Sequence, residues 1–378
     1  MTEFFSFDEL TWPEVQALPR HTPLIIPLGF DYHLEMLAES LQDPPRIGLL
    51  PSLPFGWQGS CLPLPECITA AYLNNLLDSL RDDGFTHVYA LTPQSVDLEL
   101  GVSRIAQPIA QKKSFFSDQD RNKVVVLPIG HTEQHGYHLP LSTDSLIIDA
   151  IAQGVAAAIP DQALALPVVP YGVSTHRQSF AGTLNAGGRA FEDFWLAVID
   201  RLAVQGYTRF YLLSGHGGNS SFLVNVVKYA GERQRHIFCA TAWLYLSGPQ
   251  GIAALEKYRQ SALGGMGHAC ELETSLILNL RPEFVHMDRV VDETDFITTP
   301  SYYMDWVEGG ALVANPPWDD DTATGAYGAG SLATAEHGRL WLEVAVAEKV
   351  AHIAEIHEQY TRRIVRRQAG FGLWGKQR

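Results

Sequence analysis

Residues 130–144 read Gly-His-Thr-Glu-Gln-His-Gly-Tyr-His-Leu-Pro-Leu-Ser-Thr-Asp, which puts Glu133, His135 and Asp144 on one short stretch. Imidazole nitrogens and carboxylate oxygens are borderline-to-hard ligands and suit zinc, manganese or iron. Gly136 permits a sharp backbone turn among them. His216 stands in Gly215-His-Gly-Gly-Asn219, where the glycines leave its ring unobstructed. A third segment, His268-Ala-Cys-Glu271-Leu-Glu273, opens a run of helical period through Leu280. The three-residue spacing of His268 and Glu271 predicts one shared helix face, with Glu273 directed elsewhere. Two cations a few ångströms apart need about six or seven protein ligands with one carboxylate bridging. Glu133, His135, Asp144, His216 and Glu271 nearly complete that set, and such a pair ionises a water near neutral pH.

These segments are distant in sequence, so the elements between them must bring them together. Apolar, β-branched runs at 124–128, 163–169, 209–213 and 236–243 read as strands. Stretches of helical period at 145–159, 191–205 and 221–233 separate them. Strand alternating with helix predicts an α/β fold, a three-layer αβα sandwich around a mostly parallel sheet. The Glu133 and His216 segments follow directly on two predicted strands, at the carboxyl ends where open α/β sheets bind ligands.

The first hundred residues echo the next hundred. Residues 24–29 (LIIPLG) match 125–130 (VVLPIG), 48–56 (GLLPSLPFG) match 164–172 (LALPVVPYG), and 76–91 (LLDSLRDDGFTHVYAL) match 198–213 (VIDRLAVQGYTRFYLL). The order agrees in all three, so residues 1–110 read as a shortened, diverged copy of the first half of a catalytic domain at 111–378. The chemistry is missing from the copy: Phe30-Asp-Tyr-His-Leu34 stands where the second unit has His131-Thr-Glu-Gln-His135. The first unit is therefore expected to be structural, as a pseudo-subunit, a lid or cover for a sheet edge.

With 27 basic against 42 acidic side chains, the net charge of −15 disfavours nucleic acid or an anionic membrane as partner. The N-terminal residues lack a signal-peptide pattern, and no uninterrupted apolar stretch approaches 18 residues. Cys61, Cys67, Cys239 and Cys270 form no CxxC pattern, and a reducing cytoplasm is the expected compartment. Tyr302, Tyr303, Trp306 and Trp318 offer aromatic surface for a pocket wall.

The motifs 128–144, Tyr171-Gly-Val-Ser-Thr-His176 with Phe180-Ala-Gly-Thr183, 214–219 and 268–275 resemble the creatininase (creatinine amidohydrolase) family over roughly residues 120–360. The resemblance implies a dinuclear amide hydrolase with an αβα core. Glu133 and His216 would hold one metal and His135 the other, with Asp144 bridging; zinc comes first, with manganese or iron as alternatives. The family's last carboxylate falls at Gly218 here, and Glu271 is taken as its replacement. His268 matches a proton-shuttling histidine, Glu273 a second family acid with a catalytic part, and His176 a substrate contact. His131 and His138 read as supporting or packing groups. The implied substrate is a small-molecule amide (a cyclic amide, a formamide or a related C–N bond), and a homo-oligomer is expected. A peptidase acting on a modified peptide and a non-catalytic oligomeric scaffold are the competing readings.

Overall fold

The computed structural model describes residues 1–108, 115–175, 179–306 and 310–370. The first unit contains β1 (Glu3–Ser6), α1 (Trp12–Ala17), β2 (Leu24–Pro27), α2 (Leu34–Ser40), β3 (Arg46–Leu49), α3 (Glu66–Asp82), β4 (Val88–Pro93) and β5 (Ser103–Gln107). Its strands form one parallel sheet, β1-β3-β2-β4-β5. The second unit follows with β6 (Val124–Ile129), α4 (Thr143–Ala158), β7 (Ala163–Ala165), α5 (Gly188–Val204), β8 (Arg209–Ser214), α6 (Ser220–Arg233) and β9 (Phe238–Thr241). They build a parallel sheet of order β7-β6-β8-β9. Then come α7 (Pro249–Tyr258), β10 (Met266–His268), α8 (Glu271–Leu280), β11 (Tyr327–Gly328) and α9 (Ala335–Gln368); β10 and β11 pair antiparallel.

Side chains of β6 alternate between two apolar layers, as a period of two requires. Val125, Leu127 and Ile129 join the core under α5 and α6, and Val124 and Val126 join the core under α4, α8 and α9. Phe210 and Leu212 of β8 repeat the first pattern, and Tyr211 and Leu213 the second. This is the expected αβα sandwich. Strand β7 is shorter than its apolar run because Pro167 has no N–H to give the ladder. Pairing resumes beyond it as a bridge between Ile129 and Val169.

Both sheets lie on one continuous core: Leu24 and Ile26 of β2, with Leu28 just beyond it, belong to the same apolar cluster as Val125, Leu127 and Ile129 of β6. The strand pairings also correspond. Leu24 faces Gly48 and Val88, while Val125 faces Leu164 and Phe210. No helix among the described residues is long and apolar enough to cross a membrane.

Candidate metal centre

Four element ends converge. Strand β6 delivers the 130–142 loop, the first turn of α4 carries Asp144, β8 runs into His216, and the β10–α8 junction supplies His268 and Glu273. Glycine is required at two points of this convergence. A Cβ on Gly215 would lie 2.3 Å from the Asp144 carbonyl oxygen, and one on Gly218 would lie 2.4 Å from both His216 Nε2 and the Val173 carbonyl oxygen. An acidic side chain at 218 is therefore incompatible with this packing.

Glu133, His135, Asp144, His216, His268 and Glu273 are all buried. His216 Nδ1 lies 2.7 Å from Glu133 Oε1 and 3.3 Å from Asp144 Oδ2, and His135 Nε2 lies 3.3 Å from Asp144 Oδ1. One oxygen of Asp144 thus faces each histidine. Ligand atoms of His135, Asp144 and Glu273 fall within 4.8 Å of one another, as do those of His131, Glu133 and His216, and of Glu133, His135 and His268.

The remaining ring nitrogens fix the tautomers. His135 Nδ1 sits 3.1 Å from the Glu133 carbonyl, so its N–H donates there and Nε2 keeps its lone pair. His216 uses Nε2 on the Val173 carbonyl at 2.9 Å, which leaves Nδ1 as the ligand atom. His268 donates Nε2–H to the Gln134 carbonyl at 2.7 Å and turns Nδ1 toward Glu273 Oε2, 3.9 Å away. His135 Nε2 and Asp144 Oδ2 are buried with no hydrogen-bond partner among the described residues, as suits atoms aimed at a cation.

The field points the same way. Burial alone would lower the His135 imidazole, but Asp144, Glu273 and Glu133 override it and raise the pKa. Burial likewise opposes the charge on His216, which Glu133 and Asp144 nonetheless push up to about 9. Three buried carboxylates require positive charge beside them.

Glu271 does not join this cluster. The chain reaches His268 as a strand end rather than a helix, turns through Ala269 at φ +49°, and begins α8 only at Glu271. The three-residue spacing therefore does not put His268 and Glu271 on one helix face. The Glu271 carboxylate accepts from the N–H groups of Gln260 and Ser261, both at 2.8 Å. Glu273 instead folds back to accept from Ala269 N–H at 2.5 Å, which brings it to the histidines. His176 lies outside the described residues. Cys270 is buried in the core beside α8.

Gln134, Thr183 and Asn219 support the site and had no separate role in the sequence reading. Gln134 donates Nε2–H to the Gly325 carbonyl at 2.8 Å and accepts from Gly136 N–H at 3.0 Å. Thr183 accepts from Gln134 N–H at 3.1 Å. Asn219, the last residue of the Gly-His-Gly-Gly-Asn motif, accepts from Val173 N–H at 2.9 Å and donates to the Gly130 carbonyl at 3.3 Å, tying the strand ends together. His131 accepts from Gly172 N–H at 2.9 Å, and its Nε2 lies 4.0 Å from Glu133 Oε2. His138 pairs with Thr274 at 2.9 Å. The N-terminal arm braces the loop before α4: the Leu10 and Asp8 carbonyls accept from Leu141 and Ser142 N–H, each at 2.9 Å. Of the four aromatics, Trp318 reaches the site, with its ring 5.0 Å from His268; Trp306 packs on Tyr245 instead.

Buried carboxylates and oriented imidazoles gathered at the strand ends of an αβα sandwich make a site suited to divalent cations and to the hydrolytic chemistry they support. The chain belongs to the creatininase family, whose "Creatinine amidohydrolase" model matches residues 112–353. It is 33% identical over 236 residues to creatinine amidohydrolase of Pseudomonas putida, covering 59% of this chain and 85% of that one. It is also 33% identical over 173 residues to the mycofactocin precursor peptide peptidase of Mycobacterium ulcerans (strain Agy99), covering 44% of this chain and 62% of the relative. The solved structure "Creatininase Mn" matches at TM-score 0.53 and 29% identity over 62% of this chain and 91% of that one. A mutant creatininase described as Zn-Zn type matches at TM-score 0.52 and 29% identity over 62% and 90% of the two chains.

Proposed function

We propose that this protein is a dinuclear metal-dependent amidohydrolase acting on a small-molecule amide, cyclic or formamide-like. Asp144, one oxygen toward each histidine, carries the reading. Glu133, His216 and Asp144 would hold one cation, and His135, Asp144 and Glu273 the other. This assignment moves the last ligand from Glu271 to Glu273. Zinc or manganese fits the nitrogen and oxygen donors, and the solved relatives titled Mn and Zn-Zn support both. When bound, such a pair polarises the amide carbonyl and generates the nucleophile from water.

The chain's own residues supply the rest. His268, held by its Nε2–H on the Gln134 carbonyl, presents Nδ1 as the atom that carries a proton to the departing nitrogen. Glu273, beside that Nδ1, orients the ring. Trp318 packs edge-on against the same imidazole and keeps water from it. The test is elemental analysis of purified protein combined with a hydrolysis screen of cyclic amides, formamides and short modified peptides. Two divalent ions per chain with turnover of a small amide supports the reading. Peptide cleavage alone would move the substrate class to peptides, and metal-replete protein with no hydrolytic activity would overturn the enzyme reading.

A further inference from the structure

We infer that the first unit occupies, within the same chain, the seat of a second catalytic unit on the face of α5. This inference is independent of the metal chemistry. The repeat segments 76–91 and 198–213 set α3 and α5 in correspondence, and both helices are 17 residues long with matching ends. These two equivalent helices pack on each other. Tyr72 of α3 corresponds to Phe194 of α5, and their rings stack at 4.5 Å with an interplanar angle of 23°. Equivalent residues meet face to face only on a two-fold axis.

One pair of contacts beside it is reciprocal, of the kind an isologous interface makes. Phe55 corresponds to Tyr171 in the second repeat match. Phe55 stacks near Phe194 at 6.2 Å, and across the axis the Tyr72 hydroxyl donates to the Tyr171 carbonyl at 2.6 Å. The α3 residues facing the second unit form one helical stripe. Asn75 donates to the Ala186 carbonyl at 2.7 Å, Ser79 accepts from Asn185 N–H at 3.0 Å, and Asp83 accepts from Gly182 N–H at 2.7 Å. Leu73, Leu76, Leu77 and Leu80 add to the apolar core that the two units share. The ligand positions did not need keeping for this task. Glu133, His135 and His216 align with Tyr32, Leu34 and Gln94, whereas the sheet order and the strand register correspond. A second copy of this kind of unit is therefore the partner that the α5 face fits, and the chain supplies it in cis.

Cysteine capture in the full chain tests this, in a Cys67→Ser background because Cys67 is exposed. Phe194→Cys alone should give no interchain disulfide at any protein concentration, since the seat is filled; a covalent dimer through position 194 would overturn the inference. Ser79→Cys with Asn185→Cys should close a bridge within one chain, and failure to do so would also count against it. Tyr72→Asp puts a charge into the seat, on the stripe facing α5. With amide exchange along 188–204 rising, the apparent mass should double with concentration, and adding Phe194→Cys should then trap a 194–194 dimer. An opened α5 face that stays at the starting mass, with no 194–194 bridge, contradicts the stand-in role. Should Tyr72→Asp not fold, the two cysteine experiments in the otherwise intact chain decide the matter.

Discussion

The residue that most needs separating from its neighbour is Glu273. Glu271 and Glu273 are two positions apart and both buried, yet one holds backbone N–H groups and the other faces His135 and His268. Glu273→Gln should lose one of the two ions and cut turnover by about a thousandfold, equivalent to the several kcal/mol that a Lewis acid contributes. Glu271→Gln should keep its metal content and lose about 1–3 kcal/mol of stability, because a neutral amide oxygen cannot accept from both N–H groups as the two carboxylate oxygens do. Metal analysis beside thermal unfolding distinguishes the two variants. Equal metal loss in both would mean that α8 contributes to the site only through its fold.

At the scale of elements, the strand-end loops fix the histidines through backbone carbonyls, so small backbone changes should act on metal affinity. Gly218→Ala would push its methyl against His216 and the Val173 carbonyl. We expect a 10–100-fold loss of affinity for one ion, the range seen when outer supports of a ligand are disturbed, measured by chelator competition. An unchanged affinity would show that His216 does not depend on that contact. The sheet and its flanking helices were legible because apolar runs buried on both faces differ sharply from amphipathic helices. Glu133, His135, Asp144 and His216 were legible because each follows a readable strand or opens a readable helix. Glu273 was not. Choosing between two acids required knowing that β10 ends at His268 and that Ala269 turns through a left-handed φ, and neither is written in the spacing. Asn219 and Gln134 were within the quoted motifs, but their work is hydrogen bonding to distant carbonyls, which has no period.

For the whole molecule, each sheet buries one face in the shared core and the other in a cluster of its own, and the shared face should couple the unfolding of the two units. Asp83 lies at the join. Burial raises its carboxyl pKa to about 6 although Gly182 N–H and Arg20 oppose the rise. A carboxyl raised in the folded state favours its protonated form there. Its contribution to stability is full below the unfolded value of 3.8 and is lost as pH climbs through about 6. Asp83→Asn retains an acceptor for Gly182, so at pH 7 it should be more stable than the parent by up to about 2–3 kcal/mol, with a flatter profile between the two values. Denaturant titrations at pH 4 and pH 7 measure this. A parent chain that gains stability over that interval relative to Asp83→Asn would reverse the sign and exclude the burial account.

The central claim is that Asp144 stands between two cations. Anomalous scattering from crystals of the metal-loaded chain tests it most directly. The account predicts two peaks flanking that carboxylate, one bounded by Glu133 and His216 and the other by His135 and Glu273. A single peak, or a second ion bound to Glu271, would contradict it.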